Sequence, residues 1–397
     1  MKIVFLAPFG IRPKGTVLAR MVPLAAELQR LGHSVAIVAP PYTNPEDSGR
    51  EESVRGVRLV NIHLAAGWKP ATTLAMAWRM FRAALAERPD LVHLFKPKGY
   101  GGLAAMLLIA LRRLGVRPPP VVVDTDDWEG KGGMNQLQPY SGTERAVFAL
   151  QEKWLLGGAS AVTVASRALE AIVTTEFARP PAEVFYLPNC VEDGPRGDGA
   201  AVRARHGILP EAPVLLLYTR FFEFEQPRLH RVLAEVHRRV PEARFLVVGK
   251  GRSGEEQQLA TAAREEGFSA ALVMAGWVEP ALLVDYLAAG DVAIYPFADT
   301  LTNRTKCPAK ATELLRAGVP LVADRVGQLA EYLRDGEAGI LCNPENWPEM
   351  VERTVELLRD PARRQELGAA GRRFILDNFR WQTYAERLDD FYQRSIP

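Results

Sequence analysis

The chain has 397 residues, a length that fits two domains of ordinary size. Hydrophobic residues make up 48% and charged residues 24% of it, a composition that excludes wholesale disorder. With 49 Lys and Arg against 47 Asp and Glu, the net charge of +2 gives no reason to expect nucleic acid as a partner. The charge is unevenly divided, because residues 1–190 carry 22 basic and 16 acidic residues and residues 191–397 carry 27 and 31.

The first predicted element, in MKIVFLAPFG, is a strand rather than a signal peptide, because its apolar run is short. The longest apolar run, Leu103 to Leu111, is too short for a membrane span, which needs about 20 residues. Cys190, Cys307 and Cys342 show no metal-like spacing, which predicts reduced thiols. We therefore expect a cytoplasmic protein, and a peripheral contact with a membrane stays open.

Short β-branched runs alternate with amphipathic stretches along the whole chain, which predicts βαβ units and parallel sheets in an α/β fold. The Gly- and Pro-rich stretch NCVEDGPRGDGA separates two sets of strands and is typical of a linker. We expect two Rossmann-like domains, residues 1–190 and 191–379. The predicted strands are KIVFLA, SVAIVA, LVHLF, PVVVD, AVTVA and VFYLP in the first and VLLLYT, RFLVVG, LVMAG, VAIYP and PLVAD in the second.

A helix predicted in WKPATTLAMAWRMFRAAL has an apolar face with basic residues beside it. Two interpretations stay open for this face. Either it packs on the sheet of its own domain, or it rests on an anionic membrane, to which the excess positive charge of the first half would contribute. The apolar residues are Leu74, Trp78, Phe81 and Leu85, and the basic ones are Arg79 and Arg82.

Clustered carboxylates follow the strand PVVVD, at Asp124, Asp126, Asp127 and Glu129. Oxygen ligands of this kind suit a divalent cation. The same residues could instead line a binding site or cap a turn, and the sequence leaves these three interpretations open.

The segment GKGRSG, Gly249 to Gly254, has the GxGxxG spacing of dinucleotide-binding loops. A dinucleotide site also needs an acidic residue at the end of the next strand, and LVMAGW ends without one. The glycines therefore predict a tight strand–helix turn near a ligand.

The segment KCPAKATELLRAGVPLVAD predicts a helix that begins near Pro308 and ends at Gly318. Backbone N–H groups at such a helix start can bind a diphosphate. Lys310 and Glu313 share one face of this helix. Together they could bind a nucleoside diphosphate, or they could form an ordinary surface pair.

Eight segments in order resemble the GT-B glycosyltransferases of family 4, which transfer a sugar from a nucleotide-sugar donor with retention of configuration. They are the opening APFGIRPKGTVLARMVPLAAELQRLGHSVAIVAP, then PDLVHLF, FYLPNCVE, VLLLYTR, RFLVVGKG, VMAGWV, YLAAGDVAIYPF and ATELLRAGVPLVADRVGQLAEYL. The resemblance implies two Rossmann-like domains facing each other across a cleft, with the acceptor on residues 1–190 and the donor on residues 191–379. Independently of the resemblance, the last stretch of the chain has an apolar stripe that needs a surface to pack on, formed by Phe379, Tyr384, Leu388, Phe391 and Tyr392. Because it follows a complete second domain, we expect residues 380–397 to return to the first domain.

The resemblance and the residues described above together predict the site. We expect a glycan or lipid-linked acceptor, no cofactor and no obligatory metal. Glu313 would bind the ribose hydroxyls and Arg220 the diphosphate. The catalytic set is Arg220, Lys310, Glu313 and Asp126; the donor set adds Gly15, Gly249, Lys306, Arg304, Gly327 and Glu331; the acceptor side has His93 and Asp127.

Three positions depart from the family pattern. Thr305 stands in place of a paired glutamate, Asp126 in place of a histidine, and Glu225 or Gln226 in place of a lysine that follows Arg220. We expect the missing phosphate charge to come from Lys310, Lys306 or Arg304. The departures keep two alternatives open: a nucleotide-sugar 2-epimerase of the same architecture, and a catalytically silent nucleotide-binding scaffold.

Overall fold

The computed structural model describes residues 1–12 and 15–396, which form two compact units, each built around its own sheet. Unit 1 contains Met1–Cys190, Thr305–Cys307 and the segment from Trp381 onward; unit 2 contains Val191–Arg304 and Pro308–Arg380. The first boundary falls at the residue where the linker is predicted, and the second lies one residue beyond the predicted one. Pro13 and Lys14 of the glycine-containing loop, and Pro397 at the C-terminal end, lie outside the described residues.

The sheet of unit 1 is parallel except at one edge. Its strands are β1 (Lys2–Leu6), β2 (Ser34–Ala39), β3 (Glu51–Val54), β4 (Val57–Asn61), β5 (Leu91–Phe95), β6 (Val121–Thr125), β7 (Ala161–Val164) and β8 (Val184–Tyr186). They pair in the order β3-β4-β2-β1-β5-β6-β7-β8, and only β3 and β4 are antiparallel among the strands described. All the strands predicted for this half are present, whereas the hairpin of β3 and β4 was not predicted.

Helices cover this sheet, and their ends follow local sequence signals. A π-helical turn, Val17–Met21, runs into α1 (Val22–Arg30), which has Pro23 in its first turn. At the start of α4, the side chains and backbone of Ser141 and Glu144 form a reciprocal capping box. The other helices before the boundary are α2 (Lys69–Ala86), α3 (Gly99–Arg113), α4 (Gly142–Gly158) and α5 (Arg167–Thr175), with 3₁₀ turns at Pro45–Asp47, Met134–Leu137 and Pro181–Glu183.

Unit 2 has an entirely parallel sheet among its described strands, in the order β11-β10-β9-β12-β13-β14 once they are numbered along the chain. These are β9 (Val214–Tyr218), β10 (Arg244–Val248), β11 (Leu272–Gly276), β12 (Val292–Tyr295), β13 (Leu321–Asp324) and β14 (Ile340–Cys342). The strands predicted for this half are all present. The additional β14 has three residues, too few to show a period in the sequence.

The helices of unit 2 alternate with these strands, as βαβ units require. They are α6 (Gly199–Arg205), α7 (Gln226–Arg239), α8 (Glu255–Glu265), α9 (Pro280–Ala288), α10 (Leu301–Thr305), α11 (Ala309–Ala317), α12 (Leu329–Leu333), α13 (Trp347–Arg359) and α14 (Pro361–Asn378), with a 3₁₀ turn at Ser269–Ala271. The predicted helix of KCPAKATELLRAGVPLVAD is α11, which ends at Gly318 in the left-handed conformation, φ +79°. The short α10 before it was not predicted.

The C-terminal helix α15 (Trp381–Ser395) packs in unit 1, which confirms its predicted return. Trp381 and Leu388 are buried, and the ring of Phe391 stacks on Phe185 with centroids 5.2 Å apart. The Tyr392 hydroxyl lies 2.6 Å from Nδ1 of His93 in β5. Among the residues that the structure describes, no helix is both long and apolar enough to span a bilayer.

Candidate active site

Two helical residues of unit 2 meet the end of β9. The Tyr218 hydroxyl donates a hydrogen bond to Glu313 Oε2 at 2.8 Å, and the Lys310 ammonium lies 4.0 Å from the centre of the Tyr218 ring. Burial raises the pKa of Tyr218, and the Glu313 carboxylate adds to the rise, so the phenol stays protonated and donates. Lys310 and Glu313 therefore share one face of α11, as the spacing predicts, and Tyr218 is the residue between them.

Arg220 lies two residues beyond Tyr218, in the loop that follows β9. Its Nη2 is 3.0 Å from Oε1 of the buried Glu223, and about half of its side chain remains exposed. The loop turns at Phe221, which is fully buried and has a left-handed φ of +62°. Gln226 stabilises this turn, because its side-chain amide donates to Phe221 O at 2.9 Å and to Phe224 O at 3.0 Å.

The GKGRSG loop after β10 is closed by the first residues of α8. The backbone N–H of Gly251 donates to Glu256, and those of Arg252 and Ser253 donate to Glu255, at 2.6 to 2.9 Å. These three N–H groups are therefore already bonded to carboxylates of the chain, which disfavours a dinucleotide there and fits a tight turn. Gly249 has φ +123°, and a Cβ there would lie 1.8 Å from Thr219 O, so only glycine allows this approach to the loop after β9.

The other predicted donor residues of unit 2 do not join the Tyr218 group by any contact that the structure gives. Arg304, in α10, forms an ion pair with Asp299, with Nη2 2.8 Å from Oδ2. Gly327 has φ +52°, and a Cβ there would lie 2.4 Å from Arg304 O, so its glycine has a packing reason. Glu331 is exposed on α12.

Two predicted donor residues lie in unit 1. Lys306 is buried there, on the segment in which Thr305 O accepts a hydrogen bond from Ser166 Oγ at 2.7 Å. Gly15 is exposed just before the π-helical turn, and a Cβ there would meet no described atom within 4 Å. The structure therefore gives no packing reason for glycine at position 15.

In unit 1, Asp124 at the end of β6 is fully buried and bound by Arg20. The guanidinium donates from Nε at 3.1 Å and from Nη2 at 2.8 Å to the two carboxylate oxygens. Arg20 Nη2 also donates to Leu187 O, and Thr163 Oγ1 donates to Asp124 Oδ1 at 2.6 Å. Asp124 is thus one partner of a structural ion pair, and both of its carboxylate oxygens accept hydrogen bonds within the fold.

The neighbouring carboxylates surround two buried lysines that follow β5. Lys96 Nζ lies 2.7 Å from Asp126 Oδ1 and 2.6 Å from Asp127 Oδ2. Lys98 Nζ lies 2.7 Å from Glu129 Oε1. Burial opposes the charge on Lys96, but Asp126, Asp127 and Glu129 outweigh it and raise its pKa. Burial raises the pKa of Asp126, against the attraction of Lys96.

The ion pairs of Asp124, Asp126 and Asp127 with basic side chains disfavour a metal ion at the same carboxylates. Among residues 1–12 and 15–396 no group of three or more His, Cys, Asp or Glu side chains has an arrangement that could hold a metal ion. Asp124 is bound by Arg20, and Asp126 and Asp127 by Lys96, so cations of the chain balance the carboxylates. The expectation that no metal is required stays a prediction.

The structure corrects the acceptor-side role predicted for His93. The ring is fully buried, with Nδ1 2.6 Å from the Tyr392 hydroxyl and Nε2 3.2 Å from Thr163 Oγ1. Burial lowers the pKa of His93 to about 3, and the nearby Arg20 contributes. The ring is therefore a neutral core residue that joins β5 to α15, and neither nitrogen is exposed to an acceptor.

Four residues of these clusters were missed from the sequence: Tyr218, Arg20, Lys96 and Lys98. The two lysines follow LVHLF directly, at the same edge of the sheet as the carboxylates after PVVVD, and this placement was a usable signal. No sequence signal identifies Arg20, because its partner Asp124 is 104 residues away.

Family models match both halves of the chain. Residues 15–190 match the glycosyl transferase 4-like domain, and residues 212–360 match the glycosyl transferases group 1. The chain belongs to family 4 of the GT-B glycosyltransferases.

Relatives of this glycosyltransferase carry the names of sugar-transferring enzymes. It is 26% identical over 394 residues to a glycogen synthase of Mycobacterium tuberculosis, covering 93% of this chain and 88% of that one. It is 28% identical over 390 residues to a GDP-mannose-dependent alpha-(1-6)-phosphatidylinositol monomannoside mannosyltransferase of Mycolicibacterium smegmatis, covering 94% of each. These names give the epimerase alternative no support.

Solved structures share the fold of this glycosyltransferase. A sucrose-phosphate synthase from Thermosynechococcus elongatus superposes with a TM-score of 0.76 at 18% identity, over 99% of both chains. The Anabaena protein HepE, crystallised with UDP and glucose, superposes with a TM-score of 0.74 at 16% identity, again over 99% of both. The predicted GT-B fold class is confirmed.

One buried carboxyl group of the glycosyltransferase generates a test of the lysine–carboxylate cluster. Burial raises the pKa of Glu152 in α4 to about 8, against the hydrogen bond that its Oε1 accepts from Glu129 N at 3.0 Å. A Glu carboxyl ordinarily titrates near about 4.3. The folded chain thus holds this proton more tightly than the unfolded chain, and the resulting stabilisation is complete below about pH 4 and lost as the pH rises through 8.

We predict that Glu152→Gln, which keeps the accepting oxygen and removes the charge, stabilises the protein at pH 8 relative to pH 5. The free energy of unfolding of the wild type should fall relative to the variant by up to about 1.4 kcal/mol per pH unit in that range. Urea unfolding at pH 5, 6.5 and 8 measures this, with Glu265→Gln on an exposed part of α8 as the control. Equal pH slopes in the wild type and Glu152→Gln would contradict the prediction.

Proposed function

We propose that unit 2 binds a nucleoside-diphosphate sugar at the carboxyl ends of its strands, and that the sugar passes to an acceptor hydroxyl with retention of configuration. The observation that carries the proposal is the convergence of Lys310 and Glu313 on Tyr218, two residues before Arg220. Cations and a carboxylate within one such cluster match the two chemical parts of this donor, its phosphates and its ribose hydroxyls.

Glu313 has the role of accepting hydrogen bonds from the ribose. A carboxylate offers about four acceptor sites, and the Tyr218 hydroxyl uses one of them on Oε2. The same hydrogen bond holds the carboxylate in a fixed direction, because the Tyr218 ring is nearly buried. Glu313 therefore presents its remaining acceptor capacity in a preorganised position.

The chemistry breaks the bond between the anomeric carbon and the diphosphate oxygen and forms a bond from the same carbon to the acceptor oxygen. The acceptor proton passes to the departing phosphate oxygen, so no further base is needed. The main task of the protein is to stabilise negative charge on the diphosphate. Arg220, Lys310 and the backbone N–H groups at the start of α11 supply it.

On the acceptor side we propose Asp126 and Asp127, held in place by Lys96, as hydrogen-bond partners of a glycan or lipid-linked acceptor. Because Lys96 and Lys98 are both paired with carboxylates, this part of unit 1 offers acceptor oxygens rather than unpaired cations. Such a surface suits the hydroxyl groups of a sugar or cyclitol ring. The named activity of the Mycolicibacterium smegmatis relative, on a phosphatidylinositol mannoside, is of this kind.

For the donor site we predict that Glu313→Gln weakens binding of the donor by about tenfold or more, since hydrogen bonds to a charged group are worth about 1.5–3 kcal/mol. Arg220→Ala and Lys310→Ala should lower turnover with little change in the free energy of unfolding, because both side chains are partly exposed. Calorimetric titration of UDP-, GDP- and ADP-sugars gives the affinity, and release of nucleoside diphosphate gives turnover.

Glu352→Gln, an exposed position on α13, is the matched control for that experiment. Wild-type affinity and turnover in all three variants would exclude the assignment. Donor binding without turnover on any acceptor of a broad panel would favour the silent scaffold, for which Thr305 in place of a glutamate is the motivating departure.

We also propose that transfer needs no divalent metal, because the helix start and basic side chains can provide the charge stabilisation that a metal gives other transferases. Activity should be unchanged after dialysis against EDTA and after addition of Mg²⁺ or Mn²⁺. Loss of activity with EDTA that Mn²⁺ or Mg²⁺ restores would contradict this and return the carboxylates after β6 to the metal interpretation.

The apolar face of α2 is buried in one part and exposed to solvent in another, and the exposed part supports peripheral membrane contact. Phe81 is buried, but Leu74 and Trp78 are 69% and 52% exposed, and Trp68 at the helix start is 76% exposed. On α4, Leu150 is also exposed, and the Lys69–Glu144 ion pair, 2.8 Å long, joins the two helices. We propose that this exposed aromatic surface, with Arg82 beside it, rests on an anionic membrane.

We predict that the protein sediments with anionic vesicles at low salt and that binding falls at high salt, because the Debye length shortens. Trp68→Ser/Trp78→Ser and Arg82→Glu should each reduce sedimentation severalfold, since each removes part of the interaction. Arg79 is a poorer probe, because its Nη1 donates to His63 O at 2.8 Å. The control is Trp277→Ser in unit 2, which removes an equally exposed tryptophan. No sedimentation at low salt, or an equal loss with Trp277→Ser, would exclude the proposal.

A further inference from the structure

The loop after β9 lacks a cation where the family pattern leads one to expect it. Glu225 and Gln226 stand at the positions of the expected lysine, and Gln226 is committed to the carbonyl groups of Phe221 and Phe224. The amide thus maintains the left-handed turn at Phe221 and brings no charge. A diphosphate bound by Arg220 and Lys310 therefore lacks the charge that this lysine would contribute, unless another loop of unit 2 replaces it.

Three candidates for this replacement were named from the sequence. Arg304 is paired with Asp299 through two of its nitrogens, and Lys306 is buried. Lys310 lies over the Tyr218 ring, toward the Glu313 end of the cluster.

Arg252, in the loop after β10, contacts the loop of Arg220. Its guanidinium carbon lies 4.0 Å from the centre of the Phe222 ring, and that of Arg220 lies 5.0 Å from the same ring. Two guanidinium groups from the loops after β9 and β10 therefore lie against one aromatic side chain. Both are exposed, so a ligand from solvent can approach them.

The backbone of Arg252 is held in place independently of any ligand. Its N–H donates to Glu255 Oε2 at 2.9 Å, and the N–H of Ser253 donates to the same oxygen at 2.6 Å. Gly249 allows the start of this loop to approach Thr219 closely. The two loops thus pack together without a ligand. The hydrogen bonds to Glu255 fix the backbone from which the Arg252 side chain extends to Phe222.

We propose that Arg252 supplies a further cation for the diphosphate of the donor, beside Arg220, in place of the lysine absent after Arg220. The inference rests on the proposed function of unit 2. Guanidinium groups bind phosphate oxygens through two parallel N–H donors, and this geometry favours Arg over Lys at such a position. Phe222 has the role of holding the guanidinium groups of Arg220 and Arg252 by cation–π contacts with its ring.

The test is calorimetric titration of UDP, GDP and ADP, and of the matching nucleosides, into the wild type and three loop variants. Arg252→Ala should weaken binding of the nucleoside diphosphate by about tenfold or more, as expected for a charge-assisted contact, and leave binding of the nucleoside unchanged. Arg252→Lys should recover only part of this loss. Lys250→Ala, an exposed cation two residues away on the same loop, should bind as the wild type does.

The outcomes separate the two proposals. If the wild type binds the nucleoside diphosphate and Arg252→Ala binds it equally well, the role of Arg252 is excluded and the donor site stands. The role is also excluded if the nucleoside loses as much affinity as the diphosphate, or if Lys250→Ala loses as much as Arg252→Ala. If the wild type binds none of UDP, GDP and ADP while its thermal unfolding is cooperative, the proposed donor site fails with it.

Discussion

The buried ion pair of Arg20 and Asp124 is the interaction on which the arrangement of unit 1 depends. Both side chains are almost completely excluded from solvent, and Arg20 also donates to Leu187 O and to Asn189 Oδ1. One guanidinium thus joins the helical turn after β1 to β6 and to the chain that leaves β8. Removing one partner of such a pair costs about 3–5 kcal/mol, because the other charge stays buried.

The ion pair also fixes the place from which the carboxylates after β6 project. Asp124 and the equally buried Thr125 end β6, and Asp126 and Asp127 come next, so the ion pair with Arg20 anchors the strand end from which they project. Unit 2 achieves the same result differently. There, side chains bind backbone groups: Gln226 holds the loop after β9, and Glu255 and Glu256 hold the loop after β10. In each unit, loops at the carboxyl edge of the sheet are held by the chain itself.

Much of this fold could be predicted, because the relevant signals are local. Strands such as KIVFLA and VLLLYT are continuous apolar runs of buried parallel sheets, and Gly318 ends α11 as its position indicates. The hairpin was missed because β3, EESV, has no apolar run and because β4 alternates buried and more exposed residues; its turn uses Arg55 and Gly56 in positive φ. The short α10 and β14 carry too few residues for a periodic pattern.

The candidate site could be predicted only in part, and the difference is physical. The spacing of Lys310 and Glu313 on one helix is a local property that sequence shows directly. The partner of Glu313 is Tyr218, 95 residues away, and the contact exists only because the end of β9 lies beside α11 in the folded sheet. His93 illustrates the opposite error, because it was placed on the acceptor side, whereas the hydroxyl of Tyr392, 299 residues away, lies against its ring.

The return of α15 to unit 1 has a consequence for the order in which the protein is made. A ribosome completes all residues of unit 2 before it adds the helix that covers His93 and Phe185. Domains generally fold as units during synthesis, with the first one emerging first. Here unit 1 emerges first, but one side of its core stays uncovered until the chain has passed Tyr392. Unit 2, although translated later, can therefore reach its final state first. A chain interrupted after residue 380 would release a complete unit 2 attached to a unit 1 with an open apolar surface, a product suited to recognition by chaperones and proteases.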